Sequence, residues 1–263
     1  MQSLIIFALG LSVGSFLNVL IWRLPRGENF VKGHSRCPSC RHVLGWKDLI
    51  PLFSFIFLKR KCRYCHRKIS RRYFTVELLT GIVFLALFFF TPLDTYQSWW
   101  SFGLWLSIVT LLIALTFIDF DYFIIPDKIL IVIGMLGLLN IFFLDRSLNI
   151  FVNLLVGAVA GFTFFIVYLI TATYYEEGGM GLGDVKLVAL LGFIFGFPLI
   201  LPIIYLALAG SLIGGLIIIT FFKGNLRTKL PFGSFLGGSA ITFIIFNKFF
   251  LPSLMPYIFK LYL

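Results

Sequence analysis

Long apolar blocks dominate this chain, and its polar residues collect between them. A helix that crosses a bilayer needs roughly 20 apolar residues. Blocks near 2–22, 74–92, 99–118, 125–144, 150–172, 185–201, 202–222 and 233–251 predict about eight such helices. The 201/202 division rests only on the Phe197-Pro198 and Leu201-Pro202 punctuation inside one apolar run. The last residues, PSLMPYIFKLYL, read as an interfacial tail. The first block has no basic leader and no small-residue cleavage site, so it is expected to stay as a membrane helix. The pattern thus predicts an all-α polytopic membrane protein with a small cytosolic loop subdomain. Its expected parts are a first transmembrane helix (1–22), a basic four-cysteine loop (23–73) and a membrane-embedded domain (74–263) with a short C-terminal tail.

Composition agrees with that class. The 263 residues are 60% hydrophobic with a mean hydropathy of +1.01, more apolar surface than a soluble domain can bury. The net charge of +11 changes the picture only once it is located. Residues 23–72 hold 14 of the 22 Lys and Arg against Glu28 and Asp48, while the rest of the chain is nearly neutral. Positively charged loops stay on the cytosolic side, which places 23–73 in the cytosol and both termini outside. Basic residues of the 223–231 loop also fall inside. Attraction to anionic lipid headgroups explains the charge better than nucleic acid does, and no nucleic-acid partner is expected.

All four cysteines sit in that loop, as CPSC (37–40) and CRYC (62–65). Paired C-x2-C turns direct four thiolates at one tetrahedral metal, and Cys37, Cys40, Cys62 and Cys65 are expected to bind structural zinc. Disulfides are the rival, but they are rare in a reducing cytosol. Four sulfurs complete the shell, so His34, His42 and His66 are expected to be solvated. Between the pairs, DLIPLFSFIFL (48–58) is too short to span and is expected on the membrane surface or against the helices.

Acidic residues beside the apolar blocks are few: Glu77, Asp119, Asp121, Asp127 and Asp184. An ionisable group at membrane depth costs free energy and marks a candidate site. Asp127 follows Pro126, ordinary chemistry for a helix start. Asp121 reads as a turn residue, and Glu77 as either a tether or a site residue. Asp119 ends one block and Asp184 opens another, with an out-and-back pair of helices between them. Both therefore reach the same membrane edge, where two facing carboxylates would share a proton and activate water, as in aspartic proteases. Just before Asp184, GGMGLG suits the close approach of a substrate backbone at Gly179, Gly181 and Gly183. A transporter using the same two acids, or a membrane-anchored zinc module, are the competing classes.

Several stretches together carry a resemblance: GSFLNVLIWRLPRGE (14–28), the two cysteine pairs, IPLFSF (50–55), SRRYFTVELLTG (70–81), IDFDYFIIPD (118–127), GGMGLGDVKLVALLG (178–192) and LPFGSFLG (230–237). Nearly the whole chain resembles the bacterial type IV prepilin leader peptidases. The resemblance implies a GxGD-type aspartic endopeptidase with Asp119, rather than Asp121, and Asp184 as the catalytic pair. Asp121 and Asp127 join the three glycines in shaping the site. It implies prepilin or pseudopilin substrates, cleaved at the cytosolic face of the bacterial cytoplasmic membrane. Members with the cysteine loop also N-methylate the new amino terminus with S-adenosylmethionine, for which Lys61 and Glu77 are the candidate contacts here. Members often carry Gly-Lys before the third cysteine, where this chain has Arg60-Lys61.

Overall fold

The structure, a computed structural model, describes residues 1–31, 33–91, 93–144, 149–174, 179–222 and 229–259. The expected loop placements around 145–148, 175–178 and 223–228, and the end of the tail, fall outside those residues. Among the described residues the chain is helical, with two isolated β-bridges and no strand. It divides into two compact units, Met1–Asp94 and Thr95–Leu263.

The first unit is a helical pair with a folded loop. Helix α1 (Gln2–Arg23) packs along α3 (Arg71–Phe90). Gly10 and Gly14 form a small-residue stripe that lets the backbones meet. A Cβ on Gly14 would lie 2.7 Å from Glu77 Cα, and one on Gly10 2.8 Å from Gly81 Cα. Such stripes are how helices associate in lipid, where no hydrophobic force drives them together. Ser70 caps α3 by accepting the Arg72 N–H at 3.3 Å. The loop contains the five-residue α2 (Phe53–Phe57). Phe53, Ile56 and Phe57 are exposed there, so this segment presents apolar side chains outward.

The second unit is a bundle: α4 (Tyr96–Tyr122), α5 (Asp127–Leu139), α6 (Ile150–Tyr174), α7 (Leu182–Phe195), α8 (Ile200–Phe222) and α9 (Phe232–Phe259). α4 lies against α9, α6 against α7, and α8 against α9. Fully buried Ile113, Leu115 and Ile118 of α4 meet the core with Leu187 and Leu191 of α7 and Leu236 of α9. Phe195 stacks on Trp105 at 5.8 Å and meets Phe243 edge-on at 5.6 Å, tying α7 to α4 and α9. On α6, buried Asn153 donates to Phe193 O at 3.0 Å. Gly157 brings that helix so close to α7 that a Cβ would stand 2.7 Å from Ala189 O.

Helices occupy all eight expected places, but eight spans do not follow. Among the described residues five are long and apolar enough to cross a membrane: Gln2–Arg26, Arg71–Phe90, Tyr96–Tyr122, Ile150–Tyr174 and Ile200–Phe221. α7 is only 14 residues long. α5 has 13 and continues into a π-turn at Asn140–Leu144. The break expected at 201/202 falls earlier, at Gly196, whose φ of 66° ends α7. Pro202 stands in the first turn of α8, where a missing N–H costs nothing. The protein is a multi-pass membrane protein.

Candidate functional site

Two groups of chemistry-bearing residues form, one in each unit. In the second unit, Asp119 lies in the last turn of α4, which stops at Phe123 with a left-handed φ of 56° and an N–H bonded to Asp119 O at 2.8 Å. Asp184 is the third residue of α7. Its Oδ2 reaches back to the N–H of Gly181 at 3.2 Å, the acidic half of a capping box. Both carboxylates are buried.

A third chain segment joins them. α9 begins after Pro231, and Ser234 N–H donates to Asp119 Oδ2 at 2.6 Å. The Ser234 hydroxyl is shared between the same oxygen at 3.0 Å and Thr116 O at 2.9 Å. One residue earlier, Gly233 stands between the acids: a Cβ there would be 3.0 Å from Asp184 Oδ1 and 3.1 Å from Asp119 Cγ. The two carboxyl groups therefore lie no further apart than those distances summed, within reach of one water or one substrate carbonyl. Ile125 Cδ1 would also meet that Cβ, at 2.6 Å.

Asp121 and Asp127 stay outside this cluster. Asp121 is exposed. Asp127 opens α5 and pairs with Lys186 Nζ at 2.8 Å, both side chains more than half exposed. This pair links the start of α5 to α7. The glycines before Asp184 meet the protein itself. A Cβ on Gly179 would strike Thr171 at 2.6 Å, and one on Gly183 would strike Ile125 at 2.8 Å. Gly233 and Ser234 were not foreseen as site residues. The only hint was a Pro-Phe-Gly-Ser start to an apolar helix, far along the chain from either acid.

In the first unit, the two cysteine pairs fold as copies of one hairpin. Arg41 N–H bonds Cys37 O and Cys37 N–H bonds His42 O, while His66 N–H bonds Cys62 O and Cys62 N–H bonds Arg67 O. Each closes with an antiparallel bridge, Arg36 to Val43 and Lys61 to Lys68. Arg41 and His66 hold matching left-handed φ values of 58° and 56°. The four sulfurs lie within 4.8 Å of one another, with Cys37 and Cys65 at 3.9 Å. Tetrahedral zinc with sulfur at about 2.3 Å needs sulfurs about 3.8 Å apart, so the cluster fits such an ion. Burial works against the Cys37 thiolate, but the backbone amides of Cys40 and Ser39 outweigh it and lower its pKa to about 7.

The hairpins are also joined by side chains. His42 stacks on Tyr64 with ring centroids 3.6 Å apart. Asp48 pairs with Arg63 at 2.7 Å and accepts from Gly45 N–H and the Tyr64 hydroxyl. Burial opposes its ionisation, yet Arg63 and these donors hold the carboxyl below its ordinary value.

Beside the hairpins is a cavity of about 770 Å³. Asn18, Trp22, Tyr73 and Glu77 line it from α1 and α3, together with Arg36 and Arg72. Glu77 is buried and accepts the Leu52 N–H at 2.8 Å. This bond holds Leu52 at a φ of 60° before α2. Lys61 does not line the cavity.

Two recognised sequence families fall one in each unit. A family described as the bacterial peptidase A24 N-terminal domain matches residues 8–91, and the type IV leader peptidase family matches 106–219. The chain is 34% identical over 259 residues to the prepilin leader peptidase/N-methyltransferase of Stutzerimonas stutzeri, covering 87% of this chain and 85% of that one.

The chain belongs to the type IV leader peptidase family.

It is 37% identical over 228 residues to the Myxococcus xanthus protein named prepilin leader peptidase/N-methyltransferase, covering 85% of this chain and 65% of that relative's length. It is 33% identical over 260 residues to the type 4 prepilin-like proteins leader peptide-processing enzyme of Escherichia coli, covering 92% and 93%. No solved structure matches the chain. Family membership favours neither the transporter nor the membrane-anchored zinc-module reading.

Proposed function

We propose that this chain is an aspartic endopeptidase that removes the leader of prepilins and pseudopilins at the cytosolic face of the bacterial cytoplasmic membrane, and then N-methylates the new amino terminus. The observation that carries the reading is the convergence of Asp119 and Asp184 on Gly233. Two buried carboxyl groups that close share one negative charge, because both cannot ionise cheaply. Asp119 Oδ2 receives two donors from Ser234 at 2.6 and 3.0 Å, whereas Asp184 receives the longer bond from Gly181 N–H at 3.2 Å and one from the backbone of Gly233. The charge therefore rests on Asp119, and Asp184 holds the proton.

The chemistry follows. Asp119 takes a proton from water as the hydroxide oxygen attacks the scissile carbonyl carbon, and Asp184 gives its proton to the carbonyl oxygen. The tetrahedral carbon then collapses: Asp119 returns its proton to the leaving amine, the C–N bond breaks, and one hydroxyl of the diol gives its proton back to Asp184 as the new C=O forms.

The relatives' names support the substrate and the second activity. S-adenosylmethionine, when bound, supplies the methyl group. Cys37, Cys40, Cys62 and Cys65 would hold zinc in a closed four-sulfur site with no open position, so its part is to fold the loop. Asp119→Asn and Asp184→Asn, each purified in detergent with its zinc, are the test against a prepilin-type peptide. Both should lose cleavage by three or more orders of magnitude; retained cleavage in either variant sinks the paired-acid mechanism.

A further inference from the structure

We propose that α2 is an interfacial anchor: its exposed apolar face inserts into the bilayer leaflet at the start of α3, and the lysines beside it hold anionic lipid headgroups.

Depth carries the argument. α3 has 20 residues from Arg71 to Phe90 and so rises about 30 Å, the thickness of the hydrocarbon slab. Arg71 therefore lies at one edge of the slab, and Glu77, six residues on, lies about 9 Å inside it. The loop reaches down to that level. Leu52 N–H donates to Glu77 Oε2 at 2.8 Å, and Phe55 packs on Phe74 with ring centroids 5.3 Å apart. The facing helix agrees, since Gly14 lies against Glu77 well before α1 ends at Arg23. A segment of the basic loop thus folds back beside the helix pair, below the level of the helix ends.

Backbone at that depth has to meet its polar groups within the protein, because hydrocarbon offers no partner. This segment does so. Besides the bond from Leu52 to Glu77, the N–H groups of Phe53, Ser54, Ile56 and Leu58 donate to Pro51 O, Ile50 O, Leu52 O and Ser54 O.

The side chains divide by direction. Phe55 turns to α3, while Phe53, Ile56 and Phe57 are 57%, 59% and 78% exposed. Phe53 and Phe57 stack at 6.4 Å into one surface. Trp46, Leu49 and Ile50, also exposed, lie just before it in the chain. Apolar exposure gathered in this way marks an interaction site. Lys47, Lys59 and Lys61 are exposed on either side of the segment, and Lys47 Nζ lies 5.4 Å from the Trp46 ring. An apolar face bordered by long cationic side chains is the composition of a helix lying in a membrane interface. Residues 23–72 carry 14 Lys and Arg against two acids, which complements an anionic lipid surface. A protein partner would account for the phenylalanines but not for their depth beside α3.

The test uses the zinc-loaded full chain in nanodiscs of phosphatidylcholine, with or without added phosphatidylglycerol. Phe57→benzoylphenylalanine places a photoreactive ketone on the apolar face, and Ser39→benzoylphenylalanine, at an exposed position of the first cysteine hairpin, is the control. Zinc content and thermal melting confirm that each variant is folded. On irradiation the position 57 probe should attach to lipid acyl chains at a yield well above the control's. A crosslink to another part of the chain, or a lipid yield no higher than the control's, overturns the proposal. The unsubstituted chain gives a second readout. Trypsin should cut after Lys59 and Lys61 about fivefold more slowly once phosphatidylglycerol is present, the worth of one lysine near an anionic surface. The double substitution Phe53→Ser and Phe57→Ser should lose that protection. Equal cutting of the parent in both discs, or protection that survives the double substitution, overturns the proposal as well.

Discussion

Ser234 donates to the same oxygen of Asp119 from both its backbone and its hydroxyl. A neutral carboxyl oxygen gains little from two donors, whereas a carboxylate oxygen gains a great deal. The relationship therefore assigns charge within the pair. Removing the hydroxyl in Ser234→Ala should lower kcat by about tenfold, the worth of one hydrogen bond to a charged group. It should also move the acidic limb of the kcat/KM profile to higher pH, since the charged form has lost a donor. Ser234→Thr should restore both. A lower rate with an unmoved profile would leave Ser234 a merely structural residue.

Gly233 allows no side chain. Its missing Cβ would press on Ile125 Cδ1 and both acids at once. The alanine variant should fold, because Gly233 lies in the first turn of α9, but should cleave a prepilin peptide at least about 100-fold more slowly. The spread of the carboxyl groups costs the geometry on which shared-proton catalysis depends. Near-parental cleavage by a folded Gly233→Ala chain would contradict the placement of the site.

Metal removal should act on the loop and not on the bundle of the second unit. Treatment with a strong chelator, or Cys37→Ser, should release about one zinc per chain and open residues 37–65 to proteolysis. Helical content should barely change. A loop equally resistant with and without metal would show that the apolar and ionic contacts among Asp48, Arg63, His42 and Tyr64 suffice.

Arg60 should be improvable. It holds a left-handed φ of 61°, and its Nε is buried without a partner. A left-handed residue with a Cβ costs about 1–2 kcal/mol, so Arg60→Gly should make loop unfolding harder by about 1 kcal/mol. The contact of its guanidinium with Phe55 at 6.0 Å is a minor loss. Loop opening is readable by hydrogen exchange at residues 60–69, and faster exchange in the glycine variant would reverse the expectation.

Much of this was legible in the chain. Apolar block lengths placed the helices because a buried helix in lipid needs little else, and the cysteine spacing gave a cluster because two tight turns aim their sulfurs locally. Asp119 and Asp184 were visible as costly acids at helix ends. What remained hidden was longer in range. Ser234 reaches Asp119 across 115 positions, and nothing local to a serine reports such a partner. The spacing of GGMGLG did not reveal that a Cβ on Gly179 or Gly183 would meet Thr171 or Ile125. α7 also ended before its proline-rich boundary, because Gly196 can take a conformation that no apolar count reveals.

The shortness of α7 has a consequence for the surrounding lipid. Fourteen residues rise only about 21 Å, against a hydrocarbon slab of about 30 Å. Acyl chains cannot seal both ends of such a helix, so the bilayer must dimple or admit headgroups and solvent at one of them. Asp184 stands on the third residue of that helix. Under the proposed reading, that mismatch supplies a hydrolase in an oily phase with a route by which water reaches its carboxylates.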